Sequence, residues 1–348
     1  MKKALKLTLS AMILHASLGS ATALAEPLKV VSSFSILGDM VQQIGGDKVR
    51  SINIIGPESD AHSFEPRPSD AKALQDADLL ITNGANFEAW LPKLSKAAGY
   101  QGPVAEAIHG VPLRAYEDEQ EYIAITPQSQ ADEHETHHHH DSSHDEDRHE
   151  HHQSAHEPDT HATHDHEHHE HGDYDPHAWQ SLEHAQTYVA NIRDALVAVD
   201  PENAPYYKKR ATDYETALRE LHTSLLVEFD KIPASKRTVV TSHDAFSYVG
   251  QAYGVEFLSL LGASSQAEPS AKELAGLIVY MRDKQIAAVF MENISSPKLM
   301  EQIARETGAK VGKKLYSDAL AAAPHPADNY LGMMKWNAEA LLEALQPN

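Results

Sequence analysis

Apolar positions along the chain form two stretches of alternating strand and helix pattern, separated by one long helical stripe. Near the start, the β-branched run LKVVSSFSIL passes into ILGDMVQQIGGD, where Ile36, Met40, Val41 and Ile44 recur at helical spacing before a Gly-Gly stop. VRSINIIG and ADLLITNG read as two further strands, and PSDAKALQDA between them as a helix with Ser69 as its N-cap. Strands alternating with helices predict a parallel sheet covered on both faces. This first lobe spans 26–125 and is completed by 173–203.

The longest periodic pattern is DPENAPYYKKRATDYETALRELHTSLLVEFDKIP. Tyr207, Ala211, Tyr214, Leu218, Leu221, Leu225 and Phe229 make one continuous stripe. Pro205 fits only the first turn and Pro233 stops the helix, which therefore covers 204–231 and extends about 42 Å at 1.5 Å per residue. A second α/β lobe follows over 232–348. Its strand candidates are RTVVTS, IAAVFME and KVGKKLY, and SPKLMEQIARETG is a helix with Ser296 as N-cap, Pro297 in first position and Gly308 as stop. DNYLGMMKWNAEALLEAL closes the chain as an amphipathic helix. The expected class is α/β, with two lobes, each a parallel sheet flanked by helices, joined by one long rigid α-helix.

One segment breaks the pattern. Residues 126–172 hold 16 of the 24 histidines, and the part from 131 onward carries thirteen Asp or Glu against one Arg. Such a composition buries too little apolar surface to offset the entropy of ordering, so the segment is expected to be a disordered, metal-binding loop. Its imidazoles are mostly neutral near pH 7 and offer many weak, interchangeable metal sites over 131–171. The formal net charge of −22 excludes a nucleic-acid-binding class, which wants a basic face, and suits a protein that meets cations.

Lys2, Lys3 and Lys6 precede an apolar stretch and Ala23-Leu24-Ala25, the pattern of a cleaved signal peptide over 1–25. Export to a periplasm in soluble form follows. With no cysteine anywhere, attachment of lipid through that residue is excluded, disulfides are unused, and any metal site must be built from His, Asp and Glu.

Three histidines outside the crowded segment share one context, a strand end passing into a loop. They are His62 in GPESDAHSFEPRPSD, His243 in RTVVTSHDAFSYVG and His177 in DYDPHAW. Ligands of parallel α/β sheets collect outside the carboxyl ends of the strands, so the three imidazoles can converge there. A closed zinc site takes four donors, and Asp318 in KKLYSDAL occupies the equivalent position after a strand. Three imidazoles and one carboxylate suit zinc, with manganese less favoured by so much nitrogen. His109, His184, His222 and His325 lack that context, and His184 and His222 read as helix-surface residues.

Together, SFSILGDMVQQIGGDKV, DAHSFEPRPSD, the histidine-rich segment ending in DPHAW, the helix containing NAPYY, SHDAFSYVGQAYG, EPSAKEL and SDAL resemble a known family. It is the zinc-binding periplasmic receptors of ABC metal-uptake systems, among the metal-specific (cluster A-I) solute-binding proteins. The resemblance covers nearly all of the chain after the signal. It implies two α/β lobes with the metal held between them, and His62, His177, His243 and Asp318 as ligands. Members differ at the fourth position, for which Asp60 and Glu65 are the nearby substitutes. The cysteine pair that some members carry in the second lobe is missing here.

The implied function is capture of Zn2+ and delivery to an ABC permease in the inner membrane, by a monomer that is not an enzyme. A manganese receptor of the same family is the alternative. A secreted zinc hydrolase is the reading from another class. HSFE at 62–65 offers it a carboxylate, but there is neither a His-Glu-x-x-His motif nor a nucleophile elbow. The histidine-rich segment is expected to gather zinc for the interlobe site; the alternatives are that it docks a periplasmic zinc metallochaperone or is simply a tolerated surface insertion. GASSQAEPSAKEL, 262–274, is a small-residue loop expected to be mobile near the site.

Overall fold

The computed structural model describes residues 26–115, 174–261, 269–286 and 288–346. The expected signal peptide over 1–25, the 126–172 segment and the 262–268 part of the small-residue loop lie outside the described residues.

Two four-stranded parallel sheets form the frame. In the first, β1 (Leu28–Phe34) lies between β2 (Val49–Ile55) and β3 (Leu79–Thr82), with β4 (Val104–Glu106) outside β3. The second repeats this order: β5 (Thr238–His243) lies between β6 (Glu256–Leu261) and β7 (Ala288–Val289), with β8 (Lys310–Val311) at the edge. In each sheet the chain moves from the central strand to one side and then crosses to the other. The crevice where that order reverses lies outside the strand carboxyl ends, where ligands bind in open α/β sheets.

The helices are α1 (Ser35–Gly45), α2 (Pro68–Gln75), α3 (Leu91–Ala98), α4 (His184–Val199), α5 (Ala204–Asp230), α6 (Ser247–Tyr253), α7 (Ala271–Lys284), α8 (Lys298–Thr307) and α9 (Tyr330–Leu345). The linking helix α5 matches its predicted span to within a residue. Six of the seven stripe residues are buried, and Leu221 is half-buried. α1 ends at Gly46, whose φ of 54° is open to glycine, and where an added Cβ would strike the Tyr206 hydroxyl of α5.

Two helix starts fall one or two residues away from expectation. α2 begins at Pro68, so Ser69 lies inside it, and the Arg67 N–H is held instead by the Asp70 carboxylate at 2.8 Å. Proline's fixed φ suits a first helical position, which sets that start. α8 begins at Lys298 with Pro297, not Ser296, in the cap position, and ends at Gly308 as expected. Within IAAVFME and KVGKKLY the described strand elements are two residues each, and the ladder continues past them through the Gly312 N–H to the Val289 carbonyl, the Leu315 N–H to the Met291 carbonyl and a parallel bridge joining Glu292 to Leu315.

The main core is continuous from the first sheet through α5 into β5, α6 and α9, and includes Phe34, Trp179, Leu218, Phe246, Phe290 and Tyr330. A smaller core of Val240, Leu258, Leu277, Met281, Ile286, Val289, Met300 and Ile303 lies under α7 and α8. The last helix, α9, packs on α1 and α5.

Candidate metal centre

Each predicted site residue arrives at the crevice from a different connection. His62 sits in the loop after β2, in a turn where Asp60 accepts the His62 N–H at 2.9 Å and the Ser63 hydroxyl at 2.7 Å. His177 precedes a single 3-10 turn, Ala178–Gln180. His243 is the last residue of β5, and Asp318 follows the Glu292–Leu315 bridge. One donor atom from each of the four lies within 4.8 Å of all the others, the one such cluster found among the described residues.

The rings surround the carboxylate. Asp318 Oδ2 lies 3.2 Å from His62 Nε2 and 3.3 Å from His243 Nε2, and Oδ1 lies 3.6 Å from His177 Nε2. His177, His243 and Asp318 are wholly buried, and His62 is nearly so at its side chain. The Nε2 atoms of His177 and His243 and both Asp318 oxygens engage no hydrogen-bonding group outside the cluster. Buried polar atoms are normally satisfied, so donors left facing one another are what a cation would complete.

Behind two of the rings stand further carboxylates. Asp175 Oδ1 faces His177 Nδ1 at 2.8 Å, and Glu292 Oε2 faces His243 Nδ1 at 2.6 Å. This carboxylate–histidine arrangement aims Nε2 into the cluster and raises its basicity. Burial alone would depress both imidazole pKa values. The pull of Asp318 and Asp175 nonetheless holds His177 above its ordinary value, and that of Glu292 and Asp318 holds His243 well above it. Burial likewise opposes the charge on Asp318, but His243 and His177 keep it well below the usual carboxylate range.

Aromatic packing closes the remaining side. Phe87 touches His62 edge-on at 5.2 Å, and Trp179 contacts Phe34, Phe87 and His177.

The other candidates fall elsewhere. Asp60 accepts hydrogen bonds in its own turn and Glu65 is exposed, and the cluster of four includes neither. His184 and His222 lie on helices, half-buried: one packs against Tyr248, and the other lies 3.1 Å from the Tyr253 hydroxyl. His325 packs on Trp336 and accepts the Ala327 N–H. Sequence reasoning missed Asp175 and Glu292. Their signals are an acid two residues before a candidate ligand in DPH and an acid ending the apolar run VFME.

Comparison with known proteins assigns the class. Residues 30–344 match the family described as zinc-uptake complex component A, periplasmic. The chain belongs to this family, whose members are metal-binding receptors of ABC transporters and not enzymes. Among its relatives, the manganese ABC transporter substrate-binding lipoprotein PsaA of Streptococcus pneumoniae is 29% identical over 92% of this chain and 90% of its own length. The iron ABC transporter substrate-binding lipoprotein MtsA of Streptococcus pyogenes serotype M1 is 28% identical, over 94% and 92%. The fold also matches solved structures. The periplasmic zinc binding protein TroA of Treponema pallidum has a TM-score of 0.72 at 22% identity, covering 92% of this chain and 100% of its own. The Mn-bound periplasmic metal binding protein of Candidatus Liberibacter asiaticus has a TM-score of 0.70 at 26% identity, with the same coverage. Among the described residues, no helix is long and apolar enough to cross a membrane.

Proposed function

We propose that the chain is a periplasmic receptor that holds one Zn2+ with His62, His177, His243 and Asp318 and passes it to an ABC permease. The observation that carries the reading is the buried carboxylate of Asp318 facing three imidazole Nε2 atoms at 3.2–3.6 Å. Four nitrogen and oxygen donors from protein suit a closed tetrahedral zinc site. The relatives named for manganese and iron make those metals the competing reading. Three nitrogen donors favour zinc over manganese in the ordinary order of divalent affinities.

In this reading the lobes are 26–125 with 173–203, and 232–348, joined by the rigid helix 204–231, and the ion is held between them. The segment 131–171 adds weak sites that gather zinc, or docks a periplasmic metallochaperone. The protein works as an unanchored monomer after loss of residues 1–25. The absence of cysteine supports the lack of a thioether-linked lipid, in contrast to the relatives named as lipoproteins.

The test is metal analysis of a chain lacking the histidine-rich segment, with the four residues substituted one at a time. One tightly held zinc, resistant to excess manganese and lost in each variant, is the expected result. Failure of the parent to retain one equivalent would sink the reading, and a preference for manganese would transfer it to that metal.

A further inference from the structure

SHDAFSYVG brings more to the crevice than His243. It also places Ser247 and Tyr248 at the start of α6, and both reach the same point on the chain that leads to His177. That point is where residues 116–173 depart and return. Ala115 and Tyr174 form an antiparallel bridge there, and Asp175 N–H donates to the Arg114 carbonyl at 2.8 Å. The Tyr248 hydroxyl accepts the Arg114 N–H at 3.1 Å and donates to the Asp175 carbonyl at 2.9 Å. The Ser247 hydroxyl donates to Asp175 Oδ2.

The other oxygen of that carboxylate serves the metal centre. Asp175 Oδ1 accepts the His177 N–H at 2.9 Å and faces Nδ1 at 2.8 Å. A single buried carboxylate thus joins the His177 ring to a hydroxyl on the helix that follows the second sheet's ligand strand. The terminal torsion of an aspartate is broad, so a carboxylate held at one oxygen alone would turn. Tying Oδ2 aims Oδ1.

We propose that Ser247, assisted by Tyr248, is a positioning residue for metal capture and release. It holds the Asp175 carboxylate, which in turn holds the His177 ring. Ser247 follows His243 by four residues, so any displacement of β5 and α6 from the first sheet carries both away together. The metal then loses the His243 donor and the orientation of His177 in the same movement. Release at a permease becomes steeper than the loss of one ligand would make it.

This inference rests on the metal reading above, and its test separates the two. Full-length protein is loaded with zinc alone, and transfer to an excess of chelator is followed by stopped flow alongside equilibrium competition. Ser247→Ala is expected to speed release and weaken the tight site about tenfold, as loss of a group supporting a ligand does, and Ser247→Thr to restore both. In an Asp175→Asn background, Ser247→Ala should add less than about twofold, because both changes break the same link. A Ser247→Ala protein that loses thermal stability but releases zinc at the parental rate would overturn the proposal. So would effects of the two substitutions that simply multiply. A parent chain with no tight zinc would overturn the metal reading itself, which is a different result from a parent that binds and a variant that matches it.

Discussion

Glu292 Oε2 lies 2.6 Å from His243 Nδ1, and neither side chain has exposed surface. The other oxygen, Oε1, accepts the N–H groups of Ser242 at 2.8 Å and His243 at 3.0 Å. One carboxylate therefore grips both the backbone and the ring of a single ligand, leaving Nε2 aimed at Asp318. The arrangement braces the His62–His177–His243–Asp318 cluster from outside it.

Glu292→Gln should test that role. The amide keeps the shape but presents an N–H2 where only acceptors are wanted, against either the ring or the two backbone donors. Zinc affinity is expected to fall about 10- to 100-fold by chelator competition, with far-ultraviolet circular dichroism unchanged. Unaltered affinity would mean that β5 alone orients the ring.

The charges around the centre set opposite pH trends for the two states. Raised histidine pKa values, as at His177 and His243, contribute stability that is complete below the unfolded value of 6.5 and is lost as pH rises through the folded one. The depressed pKa of Asp318 contributes above the ordinary 3.8 and is lost only as pH falls through its lower folded value. Between those two ordinary values the metal-free cluster is a stabilising imidazolium–carboxylate group. Zinc requires neutral imidazoles and so must displace those protons. The rise in Tm on adding zinc should therefore be smaller at about pH 5.5 than at about pH 8, and Asp318→Asn should flatten the metal-free trend. Calorimetry of the segment-deleted chain, with and without zinc, reads both, and equal shifts at the two pH values would contradict the assignment.

The four clustered residues were legible because strand ends in parallel sheets lie at one edge, so a histidine there has few places to point. The long helix was legible because its stripe is unbroken from Tyr207 to Phe229. Asp175, Glu292 and Ser247 were not legible. Their roles come from tertiary approach: Glu292 reaches His243 across 49 residues, and Ser247 reaches Asp175 across 72. The tyrosine contacts of His184 and His222 were not legible for the same reason, since each tyrosine comes from another element. IAAVFME and KVGKKLY were legible as strands from their apolar runs: beyond the short elements Ala288–Val289 and Lys310–Val311, the Phe290 N–H donates to the Val240 carbonyl and the Leu315 N–H to the Met291 carbonyl.

Removing 126–172 should separate two classes of metal site. The Ala115–Tyr174 bridge holds the flanking chain together, so the ends can be rejoined with little strain. The deletion is expected to keep one tight zinc and lose several weaker equivalents by metal analysis. Loss of the tight site would show that the segment supplies one of its ligands.

Trp179 offers a contrast to Glu292, because it joins two ligand-bearing segments chiefly through packing. Its indole N–H donates to the Ser317 carbonyl at 3.0 Å, beside Asp318, and its own carbonyl accepts the Tyr330 hydroxyl. Its ring packs within 5.0 Å of Phe34, 4.9 Å of Phe87 and 5.2 Å of His177. Trp179→Phe would remove one donor and part of a fully buried ring, a cost of about 1–3 kcal/mol. The Ser317 carbonyl would still accept Gln180 Nε2 at 2.6 Å, so Asp318 should stay close to its place. The expected result is a metal-free Tm several degrees lower, at about 2–4 °C per kcal/mol for a domain of this size, with zinc affinity reduced less than by Glu292→Gln. If Trp179→Phe instead cost more affinity than Glu292→Gln, the Trp179–Ser317 hydrogen bond, and not the carboxylates behind the rings, would be what sets the geometry of the site.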